Sequence, residues 1–163
     1  MKKGIFLLLG SNQDNPPERL AEAAERIEKD AGKIVTRSFV YRTAAWGLET
    51  QPEFFNQVVE IESPWGPVDL MKKLLTIEQS MGRVRTEKWG PRVIDIDMLF
   101  YGQQVISTAS LSVPHPGIPD RRFTLLPLFQ IAPELVHPVL KKTIGTLLRE
   151  CKDPLSVTVN RES

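Results

Sequence analysis

Apolar positions along the chain change period several times, and each change marks an element. Ile5 to Leu9 is an unbroken apolar run ended by Gly10, the pattern of a central strand covered on both faces. Leu20, Ala23, Ala24, Ile27 and Ala31 then fall on one helical face. Asn15 is placed to cap this helix, and Pro16 and Pro17 fill its first turn, where their missing N–H groups are not needed. Gly32 stops it. Ile34 to Arg42 reads as a second strand, Thr43 to Glu53 as a loop with Gly47 and Pro52, and Phe54 to Glu62 as a third strand. Ser63-Pro64-Trp65-Gly66-Pro67 breaks the pattern and launches a second helix to about Met81. Its apolar stripe is Leu70, Met71, Leu74, Leu75 and Ile77, with Gly82 as the stop. Val93 to Phe100, between Gly90 and Gly102, reads as a fourth strand.

The order strand–helix–strand–strand–helix–strand from residue 5 to 100 is the split βαβ, ferredoxin-like arrangement. The fold class expected is therefore α+β, with an antiparallel-dominated sheet, helices packed on one face and extra C-terminal elements. Those extra elements are weaker in pattern. Tyr101-Gly102 turns into Val105-Ile106, and Val113 to Pro119 holds three prolines and His115 in an ordered loop or edge segment. Asp120 is placed to cap a short helix through Leu126, Thr143 to Arg149 reads as another short helix, and Leu155 to Val159 as a last strand. With no repeat, low-complexity tract or linker, residues 1–163 are expected to form one domain.

A formal net charge of +1 leaves no whole-protein field to draw in nucleic acid or membrane, so neither is expected as a partner. The lone Cys151 excludes an internal disulfide and a cysteine zinc cluster and suits a reducing cytoplasm. Met1-Lys2-Lys3 before an apolar run imitates a secretory signal, but polar Ser11-Asn12-Gln13-Asp14 stand in place of a small-residue cleavage site. A buried first strand is the expectation. No segment approaches the ~18 apolar residues of a membrane span.

Chemistry gathers between Gly82 and Phe100. Strand side chains alternate, so Asp95 and Asp97 project to one side, roughly 7 Å apart, while Ile94, Ile96 and Met98 take the buried side. Two neighbouring carboxylates repel unless a cation or proton lies between them. Arg83, Arg85, Lys88 and Arg92 precede them, with Trp89, Gly90 and Pro91 interleaved. Mg²⁺ takes one or two carboxylates plus substrate phosphates, and guanidinium groups match phosphate oxygens bidentately. Together they read as a Mg²⁺–nucleoside triphosphate site; the plainer reading is solvated acids beside a basic surface loop. Neither a Gly-x-x-x-x-Gly-Lys-Ser/Thr loop nor a Gly-x-Gly-x-x-Gly turn is present, so phosphates would be held by metals and arginines.

In order along the chain, Leu9-Gly10-Ser11-Asn12, Tyr41-Arg42-Thr43, Gln51-Pro52, Phe55-Asn56, Ile77-Glu78 and Gly82-Arg83-Val84-Arg85 form an ordered series of short motifs. It continues through Trp89-Gly90-Pro91-Arg92, Asp95-Ile96-Asp97, Val113-Pro114-His115-Pro116, Arg121-Arg122-Phe123 and Pro127-Leu128. This series resembles the 6-hydroxymethyl-7,8-dihydropterin pyrophosphokinase family of folate biosynthesis. The resemblance implies a Mg-dependent diphosphotransferase that moves the terminal pyrophosphate of the co-substrate ATP to the pterin hydroxymethyl group, releasing AMP. It implies that Asp95 and Asp97 hold two Mg²⁺ ions, that Arg83, Arg92 and Arg121 stabilise charge on the reacting phosphates, and that His115 grips the triphosphate beside Arg121. Glu78 corresponds to a nucleotide contact, with Arg85 and Lys88 as helpers. For the pterin, Phe54 and Phe123 match two stacking aromatics, and Asn56 offers a donor–acceptor amide. Thr43 and the backbone of Ala44, Ala45 and Trp46 complete the edge contacts, and Trp89 is a lid. A cytoplasmic monomer is expected.

Three positions depart from the family pattern. Ala45 stands where proline is usual, Leu75 where some relatives have a nucleotide-contacting glutamine, and Phe54 where tyrosine is frequent. Two other classes fit parts of the chain. A ferredoxin-like sheet with aromatics and arginines could stack single-stranded bases, although no RNP-type motif occurs and two acids would repel phosphates. A sugar-nucleotide transferase could use Asp-x-Asp for a metal, and would release a nucleoside diphosphate where the pyrophosphokinase releases AMP.

Overall fold

In the computed structural model, which describes residues 1–43, 53–82 and 93–160, Lys2–Ser11 form a central strand, β1, buried on both faces from Ile5 to Leu9. The remaining elements follow as α1 (Pro16–Asp30), β2 (Lys33–Arg37), β3 (Tyr41–Thr43), β4 (Phe54–Ser63), α2 (Pro67–Ser80) and β5 (Asp95–Tyr101). The C-terminal third adds the hairpin β6 (Ile106–Ser107) and β7 (Ser112–Val113), a 3-10 turn at Ile118–Asp120, α3 (Arg122–Ile131), α4 (Ile144–Glu150) and β8 (Val157–Val159). The main sheet runs β5-β1-β4-β3-β8, with β2 also paired to β4. All its pairings among the described residues are antiparallel. The α+β class and the split βαβ order are those expected from the hydrophobic pattern.

Alternation along the strands sorts the core into two layers. Ile5, Leu7 and Leu9 of β1 join Val59, Ile61, Ile96 and Met98 beneath α1 and α2. Phe6 and Leu8 join Val58, Leu99, Phe100 and the apolar residues of α3 and α4 on the other side. Helices therefore cover both faces, where the sequence pattern alone had assigned them to one. The register between β1 and β5 slips opposite Leu99, because Phe6 faces Phe100 while Leu7 faces Met98. This extra residue turns both Leu99 and Phe100 into the second layer.

Several boundaries differ from expectation for identifiable reasons. Gly10 does not end β1; it lies within the strand, paired on both sides. The second strand is broken into β2 and β3 because Ser38 bonds Val58 twice, its N–H donating to the Val58 carbonyl and its Oγ accepting the Val58 N–H. Asn15 sits at the start of α1 in a left-handed conformation and makes no side-chain cap; its carbonyl accepts from Glu18 and Arg19. Gly32 follows α1 because a Cβ there would meet the Glu62 carbonyl oxygen at 2.4 Å.

Asp120 belongs to the 3-10 turn and does not cap α3, which continues through Pro127 to Ile131. The acid at the start of that helix comes from Asp153, 31 residues away. Its Oδ2 accepts the Arg122 N–H at 3.0 Å and its Oδ1 the Leu155 N–H at 3.0 Å. Arg122 returns the contact, donating to the carbonyls of Asp153 and Cys151. Gln130 ties the other end of α3 to the sheet by accepting from the Phe39 N–H and the Tyr41 hydroxyl. The helix is thus held at both ends. Asp153→Ala should orphan two N–H groups and destabilise the protein by ~1–3 kcal/mol, read as a lower urea midpoint with an unchanged slope.

Candidate active site

Where the second layer of the core ends, one cross-strand row carries the chemistry. Tyr41 of β3 faces Asn56 of β4, Asn56 faces Gly10 of β1, and Gly10 faces Asp95 of β5. Cross-strand partners share a face, so all four lie on the α3 side of the sheet, where Tyr41 reaches Gln130. The next row inward is Val58, Leu8 and Asp97. Asp95 and Asp97 therefore do project together, both half-buried, while Ile94, Ile96 and Met98 are buried behind them.

Gly10 makes the row possible. A Cβ at this position would stand 2.9 Å from Asn56 Oδ1 and 3.9 Å from Asp95 Cβ. The absence of a side chain lets an amide and a carboxylate approach from opposite sides. Asn56 is only 3% exposed, and its buried Nδ2 has no hydrogen-bond partner among the described residues. An unsatisfied buried donor is costly and is a position that a ligand acceptor would complete. The sequence places Gly10 at a strand end and within the Leu9-Gly10-Ser11-Asn12 piece of the family pattern. A glycine closing an apolar run was the available signal.

Elements C-terminal to β5 close the same end of the sheet. The His115 N–H donates to the carbonyl of Leu99, which anchors the loop after the cis Val113–Pro114 bond to the bulge in β5. The Gly117 N–H donates to His115 Nδ1 at 3.0 Å, so the neutral ring carries its proton on Nε2. Burial is the main cause that lowers the His115 pKa to about 4; the Arg121 charge lowers it further, and Asp95 opposes both. At neutral pH His115 is thus an uncharged N–H donor. Arg121 lies nearby, its Cζ 5.8 Å from the centroid of the Phe123 ring. Its guanidinium makes no hydrogen bond or ion pair to a described residue, leaving its donors free for an anion.

The other candidate residues divide clearly. Phe54 is half-buried, two positions from Asn56 on the same face of β4, and half-buried Phe123 approaches that face from α3. Thr43 is buried, and its hydroxyl donates to the Ser156 carbonyl at 3.0 Å, joining β3 to the C-terminal segment. Glu78, for which the family likeness implies a nucleotide contact, also braces backbone. Glu78 is 2% exposed and accepts the Ile96 N–H at 2.6 Å, between the two aspartates. Ala44, Ala45, Trp46, Arg83, Arg85, Lys88, Trp89 and Arg92 lie outside the described residues. Among the described residues no three His, Cys, Asp and Glu side chains group to hold a metal ion. Asp95 and Asp97 are a partial donor set, of the kind Mg²⁺ takes when phosphates supply the remaining oxygens.

Comparison with known proteins decides which family uses this arrangement. A family model described as 7,8-dihydro-6-hydroxymethylpterin-pyrophosphokinase (HPPK) matches residues 6–133. The chain belongs to this family.

Relatives named 2-amino-4-hydroxy-6-hydroxymethyldihydropteridine pyrophosphokinase agree with it. That of Haemophilus influenzae is 35% identical over 156 residues, covering 95% of this chain and 97% of the relative. That of Methylorubrum extorquens is 43% identical over 132 residues, covering 80% and 84%. Among solved structures, a Plasmodium falciparum HPPK-DHPS chain superimposes with a TM-score of 0.74 at 18% identity, which shows a shared fold. The alignment covers 92% of this chain and 43% of that longer one. The HPPK family match ends just after α3, so α4, β8 and the Asp153 contacts lie beyond it. Among the described residues no helix is long and apolar enough to cross a membrane.

Two outcomes are expected from this geometry. Gly10→Ala should force Asn56 aside, costing ~1–3 kcal/mol as an overpacked position and weakening any ligand that uses the Asn56 amide; denaturation and calorimetric titration read the two effects. For His115, a folded pKa near 4 lies below the ordinary value of 6.5. Between those values the unfolded chain binds more protons, so the stability this residue contributes is complete above about 6.5 and is lost as pH falls toward 4. An NMR titration of the ligand-free protein should show a His115 midpoint near 4, and His115→Gln should flatten the stability profile in that window. His137, buried and also lowered, supplies what dependence is left.

Proposed function

We propose that this chain transfers the terminal pyrophosphate of ATP to the hydroxymethyl group of 6-hydroxymethyl-7,8-dihydropterin, releasing AMP. The observation that carries this reading is the row across Gly10. It sets an unsatisfied recognition amide on one side and a carboxylate pair on the other, with Arg121 and His115 on the same face. A flat heterocycle with hydrogen-bonding edges suits Asn56, and the half-buried rings of Phe54 and Phe123 offer apolar faces to it. The polyphosphate then lies toward β5.

Asp95 and Asp97 would hold Mg²⁺, two ions in this reading, whose bound charge neutralises phosphate oxygens and whose geometry orients the polyphosphate. Glu78 keeps the backbone between these aspartates in place through the Ile96 N–H. Arg121 presents free guanidinium donors to phosphate oxygens, a charge-assisted contact. His115 adds a neutral donor at Nε2. Arg83, Arg92, Arg85 and Lys88 enter on the triphosphate side, and Ala44, Ala45, Trp46 and Trp89 on the pterin side, by family likeness. Thr43 acts through β3, which it fastens to Ser156.

In the reaction the pterin hydroxyl oxygen bonds to the β-phosphorus as the bond from that phosphorus to the α–β bridging oxygen breaks, and AMP leaves. The hydroxyl proton passes to solvent. His115 is not its acceptor, because Nδ1 already accepts the Gly117 N–H and Nε2 carries a hydrogen. Positioning and charge stabilisation supply the catalysis, as is usual for phosphoryl transfer. The protein acts as a monomer in this reading, and the single Cys151 fits work in the cytoplasm.

Incubation with Mg-ATP and 6-hydroxymethyl-7,8-dihydropterin should yield AMP and pterin pyrophosphate in equal amounts. Release of ADP, or salt-sensitive RNA binding without turnover, would overturn the reading. Asp97→Ala should lower turnover by ~10²-fold or more, the scale of losing one transition-state charge partner, while circular dichroism and the thermal midpoint stay near wild type. Wild-type turnover in that variant removes the carboxylate pair from the mechanism.

A further inference from the structure

Gly117 has no conformational reason to be glycine. Its φ of -80° and ψ of -7° are ordinary right-handed values open to any L residue. What it has is a neighbour. A Cβ there would stand 2.8 Å from both Cζ and Nε of Arg121 and 3.0 Å from its Nη1, so the guanidinium packs directly against the bare Cα.

The backbone of Arg121 is already held, since its carbonyl accepts from Thr124 and Leu125 at the start of α3. Its side chain is the loose part. No described residue hydrogen-bonds it, and a free arginine side chain has many rotamers to lose on ordering. Among the described residues, the Gly117 surface and the Phe123 ring, 5.8 Å from Cζ, lie against it. The same glycine donates its N–H to His115 Nδ1, which orients the imidazole.

We propose that Gly117 is a positioning residue: its missing side chain seats the Arg121 guanidinium for the phosphates, and its N–H turns His115 Nε2 toward the same anion. This rests on the pyrophosphokinase reading for its substrate and on the described geometry for the rest. One residue thereby sets two donors of different kind, a fixed cation and a neutral N–H. Preorganisation lowers the ordering cost of binding.

Gly117→Ala keeps the backbone N–H, so it leaves His115 in place and tests the seat alone. The displaced atoms are the far end of a flexible side chain, and the fold should tolerate the change with an unaltered unfolding midpoint. The variant should lose ~10- to 100-fold in kcat/KM for Mg-ATP, the scale of a misplaced reacting group, with the pterin KM within about twofold. Arg121→Ala should lose at least as much, and adding Gly117→Ala to it should change nothing further, because the effect runs through Arg121. Wild-type kinetics in Gly117→Ala, or an equal loss in both backgrounds, overturns the proposal. If the unmodified protein releases no AMP, the reaction is misassigned. Calorimetric binding of magnesium tripolyphosphate then decides the seat separately, with ~10-fold weaker binding by Gly117→Ala expected from the loss of a charge-assisted contact and equal binding refuting it.

Discussion

The candidate site depends on the close approach at Gly10, where the amide of Asn56 and the carboxylate strand of Asp95 are brought to either side of a Cα without a side chain. Three antiparallel strands meet there in fixed register, so the separation of the two ends of the site is set by the sheet and not by a loop. Sheet-borne groups are held more closely than loop-borne ones. Moving the register by one residue would turn Asn56 and Asp95 under α1 and α2 and bring Phe55 and Ile96 out. Burial of Ile5, Leu7, Leu9, Ile96 and Met98 in the first layer forbids that slip. The core on one face thus dictates the chemistry on the other.

The second layer explains why the open end of the sheet is walled. α3 lies across β3 and β4, held at one end by Asp153 and Arg122 and at the other by Gln130. Arg121 and Phe123 flank the first residue of this helix, so the tail that grips Arg122 also locates them. The Leu99 bulge plays the matching part at the β5 edge. It turns one extra residue inward and offers its carbonyl to the His115 N–H. Acids come from the sheet, while the cation and the imidazole come from elements fastened to it at two places.

Much of this was legible in local pattern. The continuous apolar run of β1, the stripes of α1 and α2, and the alternation from Ile94 to Met98 each follow from a repeat that a short window contains. Asp95 and Asp97 inherit their common direction from that alternation. The break at Ser38 was not legible, because it depends on the partner strand twenty residues on. Nor was the start of α3, where Asp120 has the right chemistry beside the helix but Asp153 arrives by tertiary contact. Gly10, Gly32 and Gly117 look alike in sequence. One permits a cross-strand approach, one avoids a carbonyl, and one makes room for a guanidinium, and only the neighbours distinguish them. Arg83, Arg85, Lys88 and Arg92 stand outside the described residues, and family likeness alone speaks for them.

The electrostatics of the described half follow from a single choice of which group carries charge. For His115, burial and the nearby guanidinium both disfavour protonation, and Asp95 does not outweigh them. Two adjacent cations would repel each other whenever the anion is absent, and would have to be held against that repulsion by the fold. With Arg121 charged and His115 neutral, the ligand-free protein avoids the conflict while keeping both donors. The Gly117 N–H makes the assignment definite by occupying Nδ1. In the ligand-free protein the site therefore sets a charged donor and a neutral, directional one side by side.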